Sequence, residues 1–278
     1  VPLWASTVVD VSRRPLQPVW QDCVVEHWGN MTCSWAPSVV DQDKWGHTLH
    51  TDYNLTWSIS RPQHETLTGH IIVNEDNLNT NYTWEPAYGA AHVCQGEVYT
   101  MHLEVSNQLT NTDHLPRPSL NVQVDPCLKV RPQEVTDVRF SVVESRSVTV
   151  TWTAPTVPDT LRQRALQYHI EYAALWGGTQ QLNDTVVVHD DTRITLTTKP
   201  NLMYTVTVRA MPKDGGHYSY PVTVKGTTLP EPPERNPAIS PLGVEFTSCH
   251  SDRERGVLLY WQALDPRFQN SDSVEYRI

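Results

Sequence analysis

The sequence predicts an all-β protein made of tandem β-sandwiches joined at an elbow, and three observations carry that prediction. Residues 138–228 hold seven runs in which apolar and polar residues alternate, separated by turn residues, a spacing that suits short antiparallel strands. Cys23 and Cys33 are followed by Trp35, which places two cysteines on successive strands and a tryptophan on the same side as the second. The first ~128 residues have no helical periodicity of useful length, and the ten Trp and eleven Tyr supply the large apolar groups that sandwich cores need.

The seven runs are Val138–Val143, Ser147–Trp152, Gln167–Ala173, Asp184–His189, Arg193–Thr198, Tyr204–Ala210 and Val222–Thr227. Val148, Val150 and Trp152 share one face of their strand, Tyr168, Ile170 and Tyr172 one face of theirs, and Tyr204, Val206, Val208 and Ala210 a third. Two sheets can bury these faces against each other. The pair Asp190 and Asp191 between two of the runs reads as a turn. Upstream, Asn54–Ile59, Gly69–Val73, Asn81–Glu85 and Glu97–Ser106 are strand candidates, the last alternating as Tyr99, Met101, Leu103 and Val105. The expected division is an N-terminal extension over 1–20, a disulfide-bearing sandwich over 21–128, a second sandwich over 129–229, and a linker with the first half of a third over 230–278. In that last part the Pro-rich segment 229–237 reads as a stiff linker. The runs Gly243–Phe246, Val257–Trp261 and Val274–Ile278 then restart the strand pattern, so the natural chain is expected to continue past 278.

Composition narrows the class of function. The 278 residues carry 21 Lys and Arg against 31 Asp and Glu, a formal charge of −10, so the basic footprint of nucleic-acid binding is absent. The 38% hydrophobic content excludes global disorder. No apolar run approaches the ~18–20 residues of a membrane span, and the start has no basic region followed by an apolar stretch. Sequons at Asn30, Asn54, Asn81 and Asn183 mark glycosylation acceptors and a secreted, extracellular chain. The five cysteines show no C-x-x-C, which favours disulfides over a zinc ribbon or redox motif. A Cys23–Cys33 bridge closes a short loop and contributes about 2–3 kcal/mol by chain entropy. Cys249 is the odd one, read either as paired with a cysteine beyond residue 278 or as a buried free thiol.

Catalytic signatures are missing: there is no G-x-S-x-G and no P-loop. His64-Glu65 opens like a zinc-protease helix yet lacks the second His, and His47 with His50 has no third ligand nearby. The expectation is a protein that is not an enzyme, with no metal and no cofactor.

The motifs, taken in order, resemble a known family. A Trp on the second strand of the 138–228 block, Tyr168-x-Ile170-x-Tyr172, and Tyr204 in a tyrosine-corner position resemble a fibronectin type III domain. The C-x9-C-x-W element of Cys23, Cys33 and Trp35, the tandem sandwiches, the joint Val124-Asp125-Pro126-Cys127-Leu128-Lys129-Val130-Arg131-Pro132 and the strand end Leu103–Leu109 resemble the cytokine-binding module of class I cytokine receptors. The joint is similar to the D-P-x-x-K-V-[KR]-P of the interleukin-6 and leukaemia inhibitory factor receptor branch. The W-S-x-W-S box of that family is degenerate here, with Tyr218-Ser219 as its remnant and Arg209 free to stack on an aromatic such as Tyr218. No immunoglobulin-like domain is expected before the module, and the layout is most similar to the invertebrate relative of the leukaemia inhibitory factor receptor.

The second cysteine pair departs from the family's, with Cys94 and Cys127 33 residues apart and Cys127 in the joint, and a Cys94–Cys127 bridge tying a strand to the joint is expected. The resemblance implies a single-pass plasma-membrane receptor of which this is the extracellular region. The implied partners are a secreted four-helix cytokine gripped at the elbow, a receptor homodimer or related co-receptor, and a Janus kinase on a cytoplasmic segment, signalling through STAT proteins. The elbow loops are then Pro86–Gly96, Pro155–Leu166 and Met211–Tyr220. Their candidate cytokine-binding residues are Tyr88, His92, Gln95, Leu161, Arg162, Arg164, His217, Tyr218 and Tyr220, since aromatic and Arg side chains anchor interfaces most often. The rival readings are a fibronectin type III adhesion protein and a soluble decoy subunit.

Overall fold

The computed structural model describes residues 14–36, 51–74, 81–107, 110–111, 115–161, 165–176, 179–247 and 256–277. Among them every regular element is a β-strand or a short 3-10 turn. The chain forms two compact units. The first comprises residues up to 133 together with 156–166 and 210–219; the second comprises 134–155, 167–209 and 220 onward.

The sandwich of the first unit contains β1 (Val19–Glu26), β2 (Met31–Ala36), β3 (Asp52–Ser60), β4 (Leu67–Asn74), β5 (Asn81–Trp84), β6 (Val98–Ser106), β7 (Ser119–Val124) and the short β8 (Val130–Arg131). One sheet has the order β5-β2-β1-β8 and the other β4-β3-β6-β7. The alternation in the sequence sets the inner faces: Cys23 and Val25 on β1, Met31, Cys33 and Trp35 on β2, Tyr53, Leu55 and Ile59 on β3, and Tyr99, Met101, Leu103 and Val105 on β6 are all buried. Cys23 and Cys33 are directly opposed across β1 and β2 and are disulfide-bonded. Trp35, two residues on, is fully buried between Trp20 and Tyr53, with ring centroids 6.3 and 6.0 Å away. Residues before the first expected strand also take part, because β1 already begins at Val19. Gln17 Nε2 donates to the Ser119 carbonyl at 2.9 Å and Arg14 to that of Pro116 at 2.9 Å.

A seven-stranded sandwich follows: β9 (Thr136–Val143), β10 (Ser147–Thr153), β11 (Leu166–Trp176), β12 (Thr179–His189), β13 (Arg193–Thr197), β14 (Met203–Pro212) and β15 (Val222–Thr227), all of it in the second unit except Leu166 of β11 and the last three residues of β14. Its sheets run β13-β10-β9 and β12-β11-β14-β15. All seven expected runs are strands, and the faces read from period two are the buried ones: Val148, Val150, Trp152, Tyr168, Ile170, Tyr172, Tyr204, Val206, Val208 and Ala210. Asp190, with φ of 59°, turns the chain between β12 and β13. Tyr204 forms the tyrosine corner: its hydroxyl accepts from the Lys199 amide at 2.8 Å, and burial pushes the phenol above its ordinary range against that bond.

Beyond this sandwich, Glu231 in the Pro-rich segment takes Arg146 Nε at 2.8 Å, so the linker is fastened to the second unit. β16 (Ile239–Phe246) and β17 (Val257–Trp261) then pair as a two-stranded sheet. The expected third strand at Val274–Ile278 is not formed over its described residues, which are irregular; Tyr276 instead accepts from the Leu264 amide at 3.0 Å and packs on Trp261. Among the described residues no second sheet covers this pair, and Leu242 is 94% and Phe246 70% exposed. Cys249 lies outside the described residues, as do His47 and His50.

Because Trp35 fills the centre of the first core, Trp35→Ala is expected to lower the stability of that unit by about 3–5 kcal/mol. Urea unfolding followed by near-ultraviolet circular dichroism measures this, with Trp152→Ala as the corresponding probe of the second sandwich.

Candidate functional site

The joint after β7 explains itself residue by residue. Asp125 caps a 3-10 turn over Pro126–Lys129, its side chain accepting from the Cys127 amide at 2.8 Å. Pro126 opens that turn, where a missing N–H costs nothing. Cys127 is bridged to Cys94. Cys94 lies within the loop 86–96, just before β6 starts at Val98. Val130 and Arg131 then pair in parallel with Val25 and Glu26 of β1, and Val130 is fully buried. Two ion pairs flank this ladder: Lys129 to Asp22 at 2.7 Å and Arg131 to Glu26 at 2.6 Å. The Arg131 carbonyl accepts from the His27 amide at 2.9 Å.

The segment 210–219 packs onto the same place. Gly215 and Gly216 have φ of 111° and 144°, and a Cβ on Gly216 would sit 2.6 Å from the Val130 carbonyl, so only glycine fits. The next residue uses that closeness: the His217 amide donates to the Val130 carbonyl at 2.8 Å. His217 Nε2 lies 2.9 Å from the Cys23 carbonyl, which makes it the protonated ring nitrogen, and 3.5 Å from Asp22 Oδ2. His217, expected among the outward binding residues, therefore faces β1. Partial burial pushes the Asp22 carboxyl up, but the Lys129 ammonium, the Cys23 amide and His217 outweigh it and hold the group below its ordinary value.

Ser219 is buried and pairs twice with Ala210: its amide donates to the Ala210 carbonyl at 2.7 Å, and its hydroxyl accepts from the Ala210 amide at 2.9 Å. The remnant of the degenerate box thus works as a strap on the end of β14. Around it Tyr218 is 42% exposed, and Tyr220, in the second unit, 53%. Arg209, expected to stack on a ring, sets its guanidinium against Glu171 at 3.3 Å, because the neighbouring strand β11 offers that carboxylate on the same sheet face.

In the loop 86–96, Tyr88 sits at φ 59° inside a 3-10 turn over Ala87–Gly89. Its hydroxyl lies 2.9 Å from the Ile59 carbonyl and 2.8 Å from that of Glu65, and its ring packs on His64 at 4.7 Å. Much of Tyr88 is thereby engaged in tying this loop to the β3–β4 turn. His92 and Gln95 are half-buried, and the Gln95 amide donates at 2.7 Å to Glu97, a buried carboxylate 3.8 Å from Arg61. Burial, helped by the nearby Glu97 charge, drives the Tyr99 phenol far above its ordinary value. Leu161 packs, half-buried, against the first core together with Val157. Arg162 and Arg164 lie outside the described residues. Of the four sequon asparagines, Asn30, Asn81 and Asn183 are exposed and Asn54 is half-buried on β3. The reading of single residues missed the partners of the joint, yet a signal existed: the acids Asp22 and Glu26 on the outer face of β1 match the cations Lys129 and Arg131.

Residues 132–225 match the family model of the fibronectin type III domain. The chain is also 26% identical over 149 residues to the oncostatin-M-specific receptor subunit beta of Mus musculus, an alignment covering 53% of this chain and 13% of that relative. The matched stretch is thus a small part of the relative's length. The chain thus contains a fibronectin type III domain, carries two disulfides and has a distant similarity to part of a receptor subunit.

The charge cluster around Asp22 has a defined pH signature. A carboxyl held below 3.8 contributes stability that is present above that value and lost as pH falls through the lower, folded-state pKa. Asp22→Asn is expected to cost about 1 kcal/mol or less at pH 6, as for a largely solvated pair. In urea titrations the variant and parent curves should converge as the pH is lowered past that folded-state pKa.

Proposed function

We propose that this chain is the ligand-binding part of a class I cytokine receptor of the interleukin-6 and leukaemia inhibitory factor receptor branch, laid out like the invertebrate receptor Domeless. It takes one face of a secreted four-helix cytokine on the loops 86–96, 155–166 and 211–220. The full-length protein crosses the plasma membrane once and signals through a Janus kinase and STAT proteins, with a second receptor chain. The domain division that goes with this reading has the ligand-binding pair over 21–229 and a further fibronectin-type domain beginning at 230.

One observation carries the reading: five of the six positions on which the joint resemblance rests have work in this chain. Asp125 caps, Pro126 opens the turn, Lys129 and Arg131 pair with β1, and Val130 is buried beneath His217. A generic string of adhesion domains has no need of such a fixed joint. With the joint and Ser219 holding the backbone, Tyr218 and Tyr220 are presented as rigid amphipathic anchors, the side chains that dominate interface energetics.

Surface capture from the secreted proteins of the source organism tests this, with the glycosylated fragment compared with Tyr218→Ala/Tyr220→Ala and Arg162→Ala/Arg164→Ala forms of unchanged melting temperature. The expected result is a small helical protein retained by the parent and bound at least about tenfold more weakly by a variant. Equal capture of matrix glycoproteins by all forms would establish the adhesion reading in its place.

A further inference from the structure

Open sheet edges invite pairing with another chain, and folded proteins block them with charges, prolines, short strands or covering segments. The two sandwiches block their edges one after another. β5 is four residues long and carries the sequon Asn81. β8 is two residues long, and its carbonyls are taken by the His217 and His27 amides. β7 has Gln17 bonded to the Ser119 carbonyl. β9 carries Asp137 and Arg139, β12 the sequon Asn183 and Asp184, β13 Arg193, and β15 Lys225.

β4 is the exception. It ends its sheet, pairing with β3 alone, and runs eight residues, Leu67-Thr-Gly-His-Ile-Ile-Val-Asn74, with no charge, no proline and no sequon. Among the described residues no backbone group of this strand bonds beyond β3. The registry with β3 puts Gly69, Ile71 and Val73 opposite Trp57, Leu55 and Tyr53 on the inner side, and Thr68, His70 and Ile72 on the outer side, where Ile72 is 61% exposed.

We infer that β4 is a self-association edge: two copies of this chain pair β4 to β4 in antiparallel fashion about a twofold axis, joining two four-stranded sheets into one of eight strands. In such an isologous contact each strand meets its own sequence. Residues directly opposite share a face, so inner apolar residues meet inner apolar residues and no like charges are opposed within the strand. A charged or proline-bearing strand could not do this. In the sequence Glu65 precedes the strand and Glu75 and Asp76 follow it, so the uncharged run has acids on both sides. A sugar at Asn54, opposite Ile72 on β3, leaves from the face of the sheet and not from its edge. The contact requires no ligand, which separates it from the cytokine reading.

Sedimentation velocity of the glycosylated fragment over a concentration series tests the pairing, alongside two outer-face variants, Thr68→Lys/Ile72→Lys and Thr68→Glu/Ile72→Glu. These positions face or lie diagonal to each other across the twofold, so each variant opposes like charges. The expected results are a reversible dimer for the parent, at least about tenfold weaker dimerisation for each variant alone, and dimers restored on mixing the two. A parent that stays monomeric, or a dimer unaffected by both variants, overturns the proposal. Tyr218→Ala/Tyr220→Ala, which touches neither edge, should dimerise like the parent.

Discussion

The two-residue parallel pairing of β8 with β1 is the contact on which the first unit depends. Through it the chain leaving one sandwich is added to that sandwich's own sheet, and its most buried residue, Val130, becomes a point where three segments meet: β1 beside it, the Cys127 turn before it, and the His217 amide on its carbonyl. None of these is strong alone. A solvated ion pair contributes under about 1 kcal/mol and a hydrogen bond about 1 kcal/mol net. They share one backbone, however, so ordering any of them lowers the entropy that the others must overcome.

The same logic holds at the loop 86–96. Tyr88 bonds across to the β3–β4 turn, and Glu97, buried, holds the Gln95 amide. A loop fastened at both ends loses little conformational freedom when it meets a partner, and preorganisation of that kind is where affinity is gained at a given contact area. The aromatic character of the loop was visible in the sequence; that its tyrosine hydroxyl reaches the carbonyls of a neighbouring turn was not.

Much of the fold was legible because period two survives in both sandwiches. Seven strands of the second could be placed from alternation, and Tyr204 could be assigned its corner from position alone. Both disulfides also match the expected pairs. What escaped were facts of direction. His217 lies in a loop whose course turns on two positive-φ glycines, and nothing local says that its ring will face the Cys23 carbonyl. Arg209 met a carboxylate on a strand far away in sequence, not the tyrosine nine residues on. Residues 274–277 have the composition of a strand, but a strand exists only when a neighbour completes its hydrogen bonds.

The parallel sense of the β1–β8 pair has a mechanical meaning. β1 is entered from its N-terminal end and β8 is left from its C-terminal end, so tension along the chain pulls the two strands past each other. Their bonds are then loaded together instead of opening in sequence, which is the resistant geometry for a pulled sheet. Should they yield, the bridges of sequence separation 10 and 33 still keep the enclosed segments from extending, withholding roughly 3.3–3.6 Å of length per enclosed residue. A module built this way would yield little length under load.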